Sequence, residues 1–245
     1  MFSCAHQELS DLGMTRIAKF RNLKRLSLFY CGISNRGLKS VAELTDLEHL
    51  NLDSRDISDE GMRHLRTLKK LISLDVFSGR ITDSGCAHLA NIKSLESLEL
   101  CGGGVGDMGC AFLATLENLQ SLNLSQNDRI SNRGAAALAS LTKLKALNLS
   151  NTRVNSSALC FFADLHNLQS LALYGCNGIE RGERLDSLQH KLPTLRCVRM
   201  HSSMEDEGKA VEEEQTEGGM SNDEVIWTRR SLSHMETDRD DRLGI

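Results

Sequence analysis

No apolar run in this chain approaches the ~20 residues that a helix needs to cross a bilayer, which argues against a helical membrane protein. The opening "MFSCAHQELS" has neither the basic start nor the apolar middle of a secretory signal, so the expected location is cytoplasm or nucleus. Without that signal the Asn-x-Ser matches at Asn123, Asn148 and Asn155 carry no glycosylation expectation. The eight cysteines contain no C-x-x-C pair, so reduced thiols are expected rather than disulfides or a structural zinc. Lys and Arg are not clustered either. Residues 201–245 hold thirteen acidic against five basic residues, a net of −8, which leaves only +4 for the remainder of a chain whose total is −4. A weak, dispersed positive balance is no nucleic-acid footprint.

What the chain does have is a repeat. The pattern L-x-x-L-x-L begins at Leu23, Leu47, Leu71, Leu95, Leu119, Leu144 and Leu168, so every spacing is 24 residues except one of 25. A looser copy begins at Leu195, and "LSDLGMTRIAKF" (9–20) matches the second half of a unit whose strand half survives only as Phe2-Ser3-Cys4. About ten residues after each first Leu stands an apolar residue (Ile33, Ile57, Ile81, Val105), followed as a rule by Ser or Thr and then Asn or Asp. These short polar groups suit helix starts. Apolar residues at helical spacing follow, as in Leu38, Val41, Leu44 and in Cys86, Leu89, Ile92. Each unit therefore predicts strand, turn, short helix and loop. One unit cannot bury its own apolar side, but stacked units share a core and form a solenoid.

Within this repeat, Gly104-Val105-Gly106-Asp107-Met108-Gly109 spells G-x-G-x-x-G between a strand-like and a helix-like run, the setting of a dinucleotide-binding turn. Gly109, however, shares its slot with Gly13, Gly37, Gly61, Gly85 and Gly134, whereas Gly106 stands where sisters have Ser34, Ser58, Thr82 and Ser131. The slot calls for close packing at the helix start, and the fingerprint is a coincidence. The strand "LESLEL" also alternates, unlike the continuously apolar strands of a doubly wound nucleotide fold.

The stretches "LEHLNLDSRDISDEGMRHL" (47–65) and "LISLDVFSGRITDSGCAHL" (71–89) resemble the cysteine-containing subclass of leucine-rich repeats, L-x-x-L-x-L-x-x-C-x-x-I-T-D-x-G-L-x-x-L. Cys31 and Cys176 keep the signature cysteine; Arg55, Gly79, Gly103, Asn127 and Thr152 replace it elsewhere. The resemblance covers roughly residues 9–180 and implies an α/β fold, a right-handed leucine-rich-repeat solenoid (horseshoe) with parallel strands on the concave face and short helices on the convex face. Within that family the chain is similar to plant F-box/LRR-type proteins, which implies substrate recognition for an SCF-type ubiquitin ligase, with ligase subunits among the partners. An F-box would need an N-terminal helical module with a Leu-Pro start, and the only proline here is Pro193. The alternative is a stand-alone scaffold or regulator without a ligase.

Alternation along each strand would put the second, fourth and sixth residues after the first Leu on the concave surface. The candidate partner-binding set drawn from these columns is Phe29, Tyr30, His49, Asn51, Asp53, Asp75, Phe77, Glu99, Cys101, Asn123, Asn148 and Tyr174. With aromatics only 4% of the chain, Phe29, Tyr30 and Phe77 are candidate anchors. Asp53, Asp75 and Glu99 favour a basic segment on a protein partner. Cys101 is the one thiol expected on the concave side, whereas Cys86 and Cys110 fall in a helical core slot. The eight histidines are dispersed, and no nucleophile, base and orienting acid come together, so no catalytic, cofactor or metal residues are expected.

The expected organisation is a solenoid over 1–200, with a partial first repeat (1–22), regular repeats (23–180) and a degenerate capping repeat (181–200). Pro193 should push Leu192 out of the last helix. The N-terminal end lacks such a cap, which predicts either an upstream segment or association there. Residues 201–245 read as an acidic, largely disordered tail. Within it, Val225, Ile226 and Trp227 beside Arg229 and Arg230 resemble a linear interaction motif, and Ser231 and Ser233 follow arginine as in a basophilic kinase site.

Overall fold

A computed structural model of the chain describes residues 2–3, 9–29, 31–52, 56–77, 80–179 and 182–200. The chain divides into two units, Met1–His201 and Ser202–Ile245. The tail readings, from its disorder to the motif around Trp227, lie outside the described residues, as do Tyr30 and Asp53.

In the first unit the described strands form one parallel sheet in sequence order: β1 (Phe2–Ser3), β2 (Arg25–Ser27), β3 (His49–Asn51), β4 (Ser73–Asp75), β5 (Ser97–Glu99), β6 (Ser121–Asn123), β7 (Ala146–Asn148), β8 (Ser170–Ala172) and β9 (Cys197–Arg199). Between them run α1 (Asp11–Ile17), α2 (Asn35–Val41), α3 (Asp59–Leu65), α4 (Asp83–Leu89), α5 (Asp107–Leu113), α6 (Asn132–Leu138), the 3-10 helix η1 (Ser156–Asp164) and α7 (Glu183–Lys191). The architecture is the expected solenoid. Successive strands pair so that Leu26, Leu50, Leu74, Leu98, Leu122, Leu147 and Leu171 stand side by side, all buried. Seven-residue helices are too short to persist alone in water; these are held by apolar faces such as Met62–Leu65 and Cys110–Leu113 in the same core. At the C-terminal end Leu192 closes α7 outside helical geometry (φ −115°, ψ 82°), just before Pro193.

The polar pair after each apolar turn residue works across repeats as well as within them. Ser34, Thr82 and Ser131 cap their own helices, accepting from Arg36, Ser84 and Arg133 N–H. The Asp or Asn that follows reaches forward to the next repeat. Asp11 accepts from Ser34 N–H at 2.8 Å, Asn35 from Ser58 at 2.9 Å, Asp59 from Thr82 at 2.8 Å, Asp83 from Gly106 at 2.6 Å, Asp107 from Ser131 at 2.8 Å, and Asn132 from Asn155 at 2.9 Å. Asp83 and Asp107 also accept from Gly109 and Gly134 N–H, each at 2.9 Å. Burial pulls the Asp107 carboxyl up, but the Ser131 and Gly134 donors outweigh it and hold the group below its usual value.

This ladder explains the recurrent glycine. A Cβ on Gly37, Gly61, Gly109 or Gly134 would sit 2.6–2.7 Å from the Asp or Asn oxygen of the preceding repeat. Ala158 occupies the same slot one repeat beyond Gly134, and its repeat is the one whose helix is 3-10 rather than α. There Asn132 still holds Asn155 N–H, and Ala158 N–H donates to Asn155 O at 2.8 Å as Gly37 and Gly61 N–H do to Ser34 O and Ser58 O.

Candidate protein-binding surface

The described strands are only two or three residues long, and that limits how far alternation predicts facing. The fourth-residue column forms one polar row across the sheet, with Asn51, Asp75, Glu99, Asn123 and Asn148 in successive register. Neighbours in such a row stand about 4.8 Å apart. The N-terminal half of the row is partly open: Asn51, Asp75 and Glu99 are half-buried, as is His49 beside them in the second-residue column. Asn51 Nδ2 donates to Asp75 Oδ2 at 2.7 Å, which fixes the carboxylate in the row. Burial and the neighbouring Arg25 hold His49 below its usual value, so at neutral pH it adds no positive charge to the acidic patch. Asp75 and Glu99 stand directly opposite each other; like charges at this spacing repel, and a cationic side chain laid across them relieves the repulsion.

The C-terminal half of the row differs from expectation. Asn123 and Asn148 retain only 2% and 5% exposure, because each side chain folds back to accept from the backbone N–H two residues on, Ser125 at 3.1 Å and Ser150 at 2.9 Å. The twice-repeated Asn-Leu-Ser carries that signal, since Asn commonly bonds its own backbone two residues ahead. These two residues belong to the wall of the sheet rather than to an open surface.

The sixth-residue column needs a larger correction. β5 ends at Glu99, so Cys101 lies in the turn closed by Gly102 (φ 71°), beyond the reach of strand alternation. Its sulfur is buried against Ser125, and burial pushes the thiol up to about 12. Cys101 is therefore not a concave-face thiol; Cys86 and Cys110 are buried as expected, and burial raises both thiols, that of Cys110 to about 12. Among the described cysteines the exposed one is Cys160, in η1. Iodoacetamide at pH 8 should alkylate Cys160 at least tenfold faster than Cys101 in site-resolved peptide mapping, because the thiolate is the reactive form. Equal rates would contradict the burial of Cys101.

Phe29 and Phe77, expected to project, are half-buried, while Tyr174 is exposed at the other end of the sheet. The surface that remains accessible and acidic is thus narrower than the predicted set and centres on Asn51, Asp75, Phe77 and Glu99. Sequence reasoning missed Asn127, in the signature-cysteine slot. It is fully buried, with Nδ2 donating to Leu100 O (2.8 Å), Leu124 O (3.0 Å) and Ser125 O (3.3 Å) and Oδ1 accepting from Val105 N–H (3.1 Å). Thr152 and Cys176 bond Leu149 O from sister slots. The signature position is a plug for turn carbonyls, not a ligand group. Among the described residues no three His, Cys, Asp or Glu side chains group as metal ligands, and no helix is long and apolar enough to cross a membrane.

A family model described as a leucine-rich repeat region matches residues 4–215. A search of the curated proteins gives no match. Among solved structures the chain is similar to an internalin from Listeria monocytogenes, 26% identical with a TM-score of 0.65 over 80% of this chain and 52% of that one. It is also similar in fold to a leucine-rich-repeat protein of Leptospira interrogans, 18% identical with a TM-score of 0.51 over 80% of this chain and 59% of that one. The chain thus spans between half and three fifths of the length of these neighbours.

Proposed function

This chain belongs to the leucine-rich repeat family, and from that premise we propose that it is a non-catalytic binding module whose concave sheet takes a basic, extended segment of a partner protein. The observation that carries this reading is the pair of carboxylates, Asp75 and Glu99, in direct register on the open half of the sheet. Asn51 flanks them with its amide, and Phe77 lies beyond the strand end. Alternate side chains of an extended segment stand about 6.6–6.8 Å apart on one face, so a Lys or Arg from a segment crossing the sheet can lie between the two carboxylates while its neighbour on that face passes to the adjoining strand. The wider pathway we propose is substrate recognition for an SCF-type ubiquitin ligase, from the resemblance of the repeats at 47–65 and 71–89, with the signature cysteines Cys31 and Cys176, to plant F-box/LRR-type proteins.

The test has two readouts. A fluorescent ten-residue peptide of alternating Arg and Ala, titrated against the full chain at low salt, should lose at least tenfold in affinity, about 1.4 kcal/mol, with Asp75→Lys/Glu99→Arg. An unchanged affinity in the variant would remove the concave site from the proposal. Affinity purification of the tagged chain from cells should then bring down cullin-ligase subunits; recovery of partners lost in the variant but without such subunits would favour the scaffold reading instead.

A further inference from the structure

The convex side changes character along the solenoid. In α2 and α3 its outward positions are Arg36, Lys39, Glu60 and Arg63, all exposed. The slot of Arg36 and Glu60 holds Met108 in α5, and the slot of Ser40 and His64 holds Phe112 in α5 and Phe161 in η1. Met108, Phe112 and Phe161 are 61%, 37% and 39% exposed, three of the six large apolar side chains left open among the described residues. Met108 and Phe112 lie four residues apart and so share one helix face. Phe112, Ala137 and Phe161 occupy equivalent slots in three consecutive repeats. Two aromatic walls therefore stand on either side of a floor made by α6, where Ala136 and Ala137 take the place of larger side chains.

The dimensions fit one kind of occupant. Packed helices lie about 8–10 Å apart, so α5 and η1, separated by α6, leave a trough roughly 16–20 Å between axes. Less the half-widths of α5 and η1, about 5–6 Å each, this leaves a groove of roughly 4–10 Å, which takes the apolar ridge of one helix laid along it. The end of the trough where α6 begins is basic: Arg133 lies in the first turn of α6, and Arg129 and Arg153 are exposed on the loops leading into α6 and η1. Arg184 reaches in from α7 to donate to Ser157 Oγ at 2.8 Å. The nearby Asp128 meets Arg153 at 3.8 Å with both side chains in solvent, a pair that neutralises little.

We propose that this trough is a second docking surface, for an amphipathic helix of a partner protein that sets its apolar face over α6 and its acidic end against Arg129, Arg133 and Arg153. It is opposite in charge to the concave row and rests on none of its residues. The fold would then join a basic extended ligand on one face to an acidic helix on the other.

The probe is a fluorescein-labelled 18-residue helical peptide with leucines on one face and three glutamates at one end, titrated against the full chain. It should bind saturably and at least tenfold tighter than the same peptide with lysine for glutamate. Phe112→Ser/Phe161→Ser and Arg129→Glu/Arg133→Glu should each lose at least tenfold while keeping the parent far-UV circular dichroism at the assay temperature; the arginines are exposed and the two phenylalanines only partly so. In the unaltered protein, saturating peptide should slow alkylation of Cys160, at the trough's edge in η1, at least threefold; this readout needs no variant to fold. Absence of saturable binding, equal binding of the lysine peptide, or an unprotected Cys160 would each overturn the proposal. So would loss of binding in Asp75→Lys/Glu99→Arg, which would place the peptide on the concave sheet.

Discussion

Asn127→Leu should destabilise the repeat unit by about 3 kcal/mol in urea unfolding, since each buried polar group left without a partner costs about 1–3 kcal/mol. The leucine is close in size to the amide it replaces, so little of the loss comes from a cavity. What it removes is the acceptor for Val105 N–H and the donors to Leu100 O, Leu124 O and Ser125 O, in a slot with no exposure at all. The bonds to Leu100 and Val105 tie the repeat of β5 to that of β6, so the defect falls at an interface between repeats. In a solenoid each unit is stabilised chiefly by its neighbours, and a weakened interface lets the two sides unfold separately. The transition should therefore broaden, with a lower apparent m-value, as well as shift. Asn127→Thr should recover part of the loss, because Thr152 in the sister slot donates to Leu149 O at 2.7 Å. A leucine variant as stable as the parent would mean that the turn carbonyls need no internal donor.

Gly109→Val should cost about 3 kcal/mol, at the upper end for forcing extra carbons into a filled site, whereas Gly104→Ala and Gly106→Ala should each stay within about 1 kcal/mol. A Cβ on Gly109 would stand 2.6 Å from Asp83 Oδ1, 2.7 Å from Val105 Cγ1 and 3.2 Å from Cys86 Sγ. Asp83 cannot retreat without giving up the Gly106 and Gly109 N–H groups. Gly106, by contrast, has extended backbone (φ −122°, ψ −164°) open to any residue, and a Cβ there first meets an atom at 3.4 Å. For Gly104 the nearest atom is Thr82 Cγ2 at 3.3 Å. A phosphate-binding turn needs glycine at the first two places and tolerates alanine at the third; a repeat interface needs it only at the third. Thermal melts of the three variants separate these cases, and equal losses at all three sites would contradict the interface explanation.

Several features were legible because they depend on residues close in sequence. The 24-residue period placed Leu50, Leu74 and Leu98 in one buried rank, and apolar spacing in each second half placed α1 through α6. The structural role of Gly109 could be read from its company in the repeat. Pro193 marked the end of α7 because proline constrains its own neighbour.

Other features depend on how neighbouring repeats meet, and no single unit contains that information. The Asp83 carboxylate looks like a cap for its own helix and serves the next one, because stacking brings Gly106 N–H within 2.6 Å of it. Cys101 follows the strand spacing on paper, but β5 stops two residues earlier and the turn carries the thiol against Ser125. Asn123 and Asn148 sit in the predicted row yet turn their amides onto their own backbone. The trough over α6 exists only because Phe112 and Phe161, 49 residues apart, flank a rank of alanines. The sequence by itself determined the period, the buried ranks and the order of strands, since these follow from local spacing and the need to bury apolar faces. Tertiary structure alone decided which polar groups face solvent and which bond the next repeat, because that depends on the distance and angle between adjacent coils of the chain.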